Sequence, residues 1–263
     1  MPSKKLLIVG TGIKTLSHLT RESECSIKQA QKVLYLVNEP IIKEWIIKNS
    51  EDSFSLEDLY FSKKFRAKSY QEITEKIVST LDAFDNVCVV VYGHPLLLSN
   101  AIHSVIKKLD KSDVAITVLP AISSLDCLFA DLRVDPVGGC YSIDATELLV
   151  YEKPICISNH VIIWQIGLVG LLGNTTEKQN VVAITMLKEK LLLLYGPDHD
   201  IILYEAAIYP HLQPTINKIT IKDIHEKLMS SITTAYISPK IQNSINFDRL
   251  IQLGIHYDDL WGG

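Results

Sequence analysis

Arg66 and Tyr70 are four residues apart, in a stretch from Arg66 to Asp82 whose Tyr70, Ile73, Ile77 and Leu81 recur at helical spacing. On a helix, residues at that separation share a face. A guanidinium beside a phenol favours the phenolate and lowers its pKa, and the same fixed cation can stabilise an oxyanion developing on a substrate. The pair therefore suits proton abstraction next to a polarised oxygen. Spacing alone is equally well satisfied by a surface arginine beside a tyrosine packed on Ile73. Two other stretches carry chemistry-bearing side chains. His94, between Gly93 and Pro95, can act as a base or can fix a turn by hydrogen bonding. Asp198-His199-Asp200 offers metal donors without a second donor cluster, so it reads as a solvated loop and no metal site is expected.

The elements that must position these groups follow a regular order. Lys5–Val9 is an apolar strand running into Gly10-Thr11-Gly12, whose glycines permit a tight turn and close approach of the backbone to a ligand. The G-x-x-G continuation of a dinucleotide fingerprint is missing, which excludes a Rossmann NAD site. The spacing predicts a helix over 23–31, a strand over 33–37, a helix over 40–48 and a polar loop over 49–64. After the Arg66 helix, Cys88–Tyr92 is a β-branched strand ended by Gly93-His94-Pro95, as a central strand of a parallel sheet would be. Ligands of open α/β sheets collect beyond such strand ends, which directs attention to 92–98. A helix over 100–109, a strand over 114–119 and a helix capped by Ser123 complete a β-α alternation, the mark of a helix-covered parallel sheet.

Asp135-Pro136-Val137-Gly138-Gly139 is turn-rich and marks a boundary. Beyond it lie a strand at 140–143, a short helix at 145–149, a long strand at 161–167 and a helix over 180–194. Strands at 201–206 and 233–237 flank a helical 222–229. The end holds a short amphipathic helix at 246–254, then Asp258-Asp259 and Trp261. The chain is expected to comprise an N-terminal α/β domain over 1–135, a C-terminal α/β domain over 136–240 and a tail over 241–263.

Composition narrows the function class. With 263 residues, 47% of them hydrophobic, the chain can fill the cores of two medium domains. A net charge of −4 and a pI near 6.1 provide no basic stripe, so a nucleic-acid partner is not expected. Five scattered cysteines without a C-x-x-C pair suit a reducing, cytoplasmic setting. The first strand begins too early for a signal peptide, and no apolar run approaches the length of a membrane span.

In this order the pieces resemble the tetrapyrrole methylase superfamily, on the strength of the first-strand G-T-G, Y-G-H-P at Tyr92, L-P-A-I-S-S-L-D at Leu119, W-Q-I-G at Trp164 and T-T-A-Y-I-S-P at Thr233. Within it, the chain is most similar to the borosin α-N-methyltransferases, which methylate backbone amides of a peptide. That narrower match rests on D-L-Y at Asp58, R-x-x-x-Y at Arg66, L-F-A-D-L-R-V-D-P at Leu128, E-L-L-V at Glu147 and Y-G-P-D-H-D at Tyr195. Leu96 stands where many relatives have glycine after the H-P pair.

The resemblance implies two α/β domains with S-adenosylmethionine in the cleft between them. Tyr70 would accept the amide proton with Arg66 as its electrostatic partner, while Tyr60 and Tyr92 position the amide and the methyl donor. It places the cofactor at Pro95, Leu97 and Leu98, at Ser123 and Ser124, at Gln165, at Tyr204 and Ala206, and at Thr233 and Thr234. Residue by residue, Gln165 also fits a strand position bonded within its sheet, and Ser123 a simple helix cap. Fungal relatives carry their substrate on a C-terminal extension; this sequence ends at Gly263, which resembles the split form acting on a separate precursor protein. Relatives form homodimers, so a homodimer, or a heterotetramer with the precursor, is expected. Competing readings are a superfamily methylase of a small molecule such as a porphyrinoid, and a peptide-binding module without turnover.

Overall fold

The computed structural model describes residues 4–151, 153–173 and 179–260; Trp261 lies outside them. The first half is a parallel five-stranded sheet, β1 (Lys4–Gly10), β2 (Lys32–Leu36), β3 (Ser53–Ser55), β4 (Asn86–Val91) and β5 (Val114–Leu119), in the order β3-β2-β4-β1-β5. The near-continuous apolar run of β4 is explained by burial on both faces. Val87, Val89 and Val91 join one core with helices α4 (Arg66–Ala83) and α5 (Asn100–Leu109); Cys88 and Val90 join another with α1 (Arg21–Gln29) and α2 (Pro40–Asn49). The adjacent strands β1 and β4 thus send their chains to opposite faces, α1 to one and α5 to the other. That opens a crevice at their C-terminal ends, where Gly10-Thr11-Gly12 and Tyr92-Gly93-His94 meet.

The second sheet runs β6 (Cys140–Asp144), β7 (His160–Trp164), β10 (Thr234–Ile237), β8 (Asp200–Glu205) and β9 (Thr215–Thr220), parallel between β6 and β7 and antiparallel elsewhere. One face packs on α7 (Ala145–Val150) and α8 (Val181–Tyr195). From the other face, Ile162, Trp164, Tyr204 and Tyr236 pack against Cys127 and Leu128 of α6 (Ser124–Leu132), with Ile13, Tyr92 and Leu97 beside them. Each large apolar side chain buried in that seam contributes about 1.5–3 kcal/mol of burial free energy. The seam holds the two sheets in a fixed relation and sets the walls of the site.

Three expectations are corrected, and one strand had no expectation at all. The 49–64 loop contains β3 and a one-turn helix, α3 (Glu57–Phe61), which is too short for a periodic apolar pattern. The strand expected over 161–167 stops at Trp164, because Gln165 takes a left-handed backbone (φ 53°) and starts a 3₁₀ turn. The 222–229 helix is a 3₁₀ segment over Ile221–Glu226. Finally β9, an exposed edge strand with no alternation of apolar residues, carried no period-2 signal. A short helix α9 (Phe247–Leu253), capped by the Asn246 side chain, is followed by a 3₁₀ turn at Tyr257–Asp259. Among the described residues no helix is long and apolar enough to cross a membrane.

Candidate active site

Gly12 and Gly93 pair as an isolated antiparallel bridge, amide to carbonyl at 3.3 and 3.1 Å. Both have positive φ (70°), and a Cβ on Gly10 would stand 2.1 Å from the Gly93 carbonyl oxygen. The glycines expected to admit a ligand therefore admit a second loop of the protein. His94 shapes that loop: its Nδ1 accepts from the Leu96 amide at 3.2 Å and its carbonyl from the Leu97 amide at 3.2 Å. Leu98, at φ 54°, carries a left-handed backbone that an L-residue adopts at a cost.

Two cavities flank this turn. The smaller, about 250 Å³, is lined by Leu97, Leu98, Ser123, Ser124, Trp164 and Gln165, together with Ile13, Ala206 and Thr234. Its loops come from both sheets, and two of its non-glycine residues, Leu98 and Gln165, are left-handed. Ser123 is held by a reciprocal capping box: its Oγ accepts from the Leu125 and Asp126 amides, and the Asp126 carboxylate accepts from the Ser123 amide at 2.7 Å. The cap reading and a place in the cavity lining are both satisfied, by a residue that is itself buried.

The larger cavity, about 480 Å³, is lined by Tyr60, Phe61, Arg66, Tyr92, Leu97 and Leu98, together with Asn38, Glu57, Leu168, Gly173 and Ser231. Tyr92, Leu97, Leu98 and Ser231 border both cavities, so the two adjoin across the tip of the Tyr92 turn.

Arg66 reaches the second half of the chain. Its guanidinium donates to the Leu171 carbonyl, its amide donates to the Leu172 carbonyl at 3.2 Å, and Phe65 bridges to Gly173. The cation is thus placed at the cavity by both sheets. Tyr70 lies behind Tyr60, with ring centroids 6.1 Å apart, and does not line the cavity that Tyr60 lines. Its pKa is pushed up to about 12, first by burial, then by the charge of Tyr60, with Arg66 pulling only weakly the other way. The expected lowering by Arg66 is corrected: desolvation of the phenolate outweighs the cation. Tyr92 is also pushed up to about 12 by burial and then by neighbouring Cys127.

Three residues that the resemblance assigns to the cofactor do not line the smaller cavity. The Tyr204 hydroxyl donates to Asp131 at 2.7 Å in the inter-sheet core, where burial and then that bond raise its pKa. Thr233 is buried, its Oγ1 accepting from the Ser230 amide at 2.8 Å and donating to Glu205, while its carbonyl accepts from the Ile166 amide at 3.1 Å. Pro95 stands behind the turn, against Gly10. Conversely, Ile13, Trp164, Leu168 and Ser231 line the cavities without having been singled out as site residues. Trp164 opens the W-Q-I-G motif and Ser231 lies two residues before T-T-A-Y, which was the available signal. Asp198 and Asp200 pair with Lys222 and Lys218, each at 2.7 Å, and the His199 ring meets the Ser238 carbonyl at 3.1 Å. Each of the three is engaged separately.

The fold, a parallel five-stranded sheet packed against a mixed one, is matched in proteins of known structure. The uroporphyrin-III C-methyltransferase of Thermus thermophilus superposes with a TM-score of 0.64 at 14% identity, over 98% of this chain and 100% of that one. The precorrin-6Y methylase of Archaeoglobus fulgidus does so with a TM-score of 0.59 at 16% identity, over 90% and 98%. The model of the tetrapyrrole (corrin/porphyrin) methylases matches residues 5–219. The chain belongs to this family.

Among tetrapyrrole methylases it is similar to fungal proteins that combine a methyltransferase with a ribosomally synthesized peptide precursor. The dendrothelin A precursor protein of Dendrothele bispora is 32% identical over 92% of this chain and 60% of its own length. The omphalotin A precursor protein of Omphalotus olearius is 30% identical over 94% and 61%. This chain spans about 60% of the length of these curated relatives.

Proposed function

We propose that this tetrapyrrole methylase transfers methyl groups from S-adenosylmethionine to backbone amides of a precursor peptide, supplied as a separate protein. The observation that carries the reading is the pair of adjoining cavities. One is built from the motifs by which the family resemblance assigns the cofactor, the other from Tyr60 and Arg66, and the two meet at Tyr92, Leu97 and Leu98. The similarity to methyltransferase–precursor proteins supports the peptide as substrate class, and the resemblance to split forms supports delivery in trans.

The smaller cavity suits the donor molecule. Ile13, Leu97 and Trp164 offer apolar walls to its rings and methylene stem; Ser123, Ser124, Gln165 and Thr234 offer partners for its polar groups. When bound there, S-adenosylmethionine supplies an electrophilic methyl group. The remaining work falls to the protein. A peptide nitrogen is a poor nucleophile because its lone pair is delocalised into the carbonyl. Arg66, held by Leu171 and Leu172, places a fixed cation where the amide oxygen gains imidate charge. Of the two tyrosines that line the cavity, Tyr60 and Tyr92, the reading gives the amide proton to Tyr60, which half-buried Tyr70 backs ring to ring. The exposed ring of Phe61, in the cavity lining, offers an apolar surface beside Arg66 and Tyr60. Homodimer formation belongs to the same reading.

The test is intact-mass spectrometry of a candidate precursor protein, after incubation with the chain and S-adenosylmethionine. Successive gains of one CH₂, placed on backbone amides by fragmentation, are the expected result. Cofactor binding without any mass gain would remove the peptide reading and put a small macrocyclic substrate first.

A further inference from the structure

Glu39 is a buried carboxylate (5% exposed) that the proposed chemistry does not use. Both of its oxygens are committed. Oε1 accepts from the Ile41 amide at 3.0 Å and from the Tyr209 hydroxyl at 2.9 Å; Oε2 accepts from the Ile42 amide at 2.9 Å and from the Thr15 hydroxyl. The two amides are those of an N-capped helix, α2. The two hydroxyls serve a different purpose, since they come from distant loops. Thr15 belongs to the loop after β1, and Tyr209 to the connection between β8 and β9 in the second sheet. A backbone bond from the Thr15 amide to the Ile208 carbonyl at 2.8 Å runs beside them.

We infer that Glu39 and Tyr209 form a latch that positions two lining residues of the smaller cavity. Ile13 lies two residues before Thr15, and Ala206 three residues before Tyr209; these are the cavity residues contributed by the two tethered loops. The Tyr209 loop leaves β8 at Glu205 and spans residues without regular structure until β9, so no ladder holds Ala206 in place beyond the strand end. Hydrogen bonds to a buried carboxylate are strong, because the charge has no water to fall back on. Glu39 is a positioning residue: it touches neither cavity and acts through the loops it ties.

The latch's purpose rests on the reading of the smaller cavity as the methyl-donor site, so the test separates the two. In the ligand-free protein, Tyr209→Phe is expected to speed hydrogen exchange at the Thr15 amide about tenfold, the loss expected for one charge-assisted bond. With S-adenosylmethionine as the probe, calorimetry on the same variant is expected to show a Kd raised about tenfold, and turnover on the precursor a raised KM for the donor with kcat retained. Glu39→Gln keeps an oxygen for the helix cap and is expected to give the same pattern, whereas Tyr209→Ala should add little to Tyr209→Phe. Unchanged exchange at Thr15 overturns the latch. Faster exchange with an unaltered Kd overturns its role in shaping the donor cavity. Absence of binding by the unmodified protein overturns the donor-site reading itself and with it that role, and the exchange result then reports the tether alone.

Discussion

Tyr60 and Tyr70 stand ring to ring at 6.1 Å, and Tyr60, the one on a single-turn helix, lines the larger cavity. This ordering assigns the contact with substrate to Tyr60 and a supporting role to Tyr70. Tyr60→Phe is expected to lower kcat by about 10²–10⁴, the range for loss of a proton-transfer group, and Tyr70→Phe by a smaller factor. Single-turnover rates at saturating donor and peptide measure both. A larger loss for Tyr70→Phe would reverse the assignment.

Burial keeps the Tyr70 phenol neutral up to about pH 12. A group whose pKa is raised holds its proton until the pH passes that higher value. The rate of methyl transfer should therefore show no inflection from Tyr70 between pH 6 and 10. The check is the kcat profile of the Tyr70→Phe variant. If it loses an alkaline inflection that the unmodified protein has in that range, the burial argument fails.

Arg66 is tied by backbone carbonyls of the second half of the chain, so its charge is placed without a carboxylate partner to neutralise it at those bonds. Arg66→Ala is expected to reduce kcat by about 10²–10³, the cost of losing one preorganised oxyanion stabiliser. Peptide affinity, followed by fluorescence anisotropy, should change far less. Equal losses in affinity and kcat would mean that the arginine binds substrate rather than the developing charge.

The Gly12–Gly93 crossing predicts an order of stabilities. Gly10→Ala sets a methyl against the Gly93 carbonyl and should cost about 1–3 kcal/mol or more, as over-packing does. Gly93→Ala meets only Ile13 Cδ1, at 3.5 Å, and should cost about 1 kcal/mol for its left-handed backbone. Urea denaturation of both variants tests the order. A Gly93→Ala protein less stable than Gly10→Ala would contradict the packing of the two loops.

Glu39 makes an acid-side prediction. Burial alone would raise its pKa, but the hydrogen bonds from Thr15, Ile41, Ile42 and Tyr209 together hold it at about 2, below the ordinary value of 4.5. For a depressed carboxylate, the stabilisation is complete above the ordinary value and is lost as the pH falls toward 2. Thermal unfolding of Glu39→Gln compared with the unmodified protein should show a gap that is constant near neutrality and narrows below about pH 4.5. A gap that widened on acidification would have the wrong sign for this network.

The sequence by itself determined most of the secondary structure and the class of fold. Strands such as β4 are short, β-branched and bounded by glycine and proline, and α4 and α5 repeat their apolar residues at helical spacing, so local pattern and buried face coincide. It also carried the motif order that identifies the family, because motifs are contiguous. Where the pattern was weak it failed: α3 is one turn long, β9 is an exposed edge, and the left-handed backbone at Gln165 ends β7 inside an apolar run.

The tertiary structure alone decided which side chains meet. Helical spacing put Arg66 and Tyr70 on one face, yet it could not show that Tyr60 comes between Tyr70 and the cavity, or that burial would outweigh the cation. Nor could it join Glu39 to Tyr209, 170 residues away. Periodicity reports the face that a residue occupies on its own element. Which loops approach that face is settled by packing between elements, here by two sheets closing over the ends of β1 and β4.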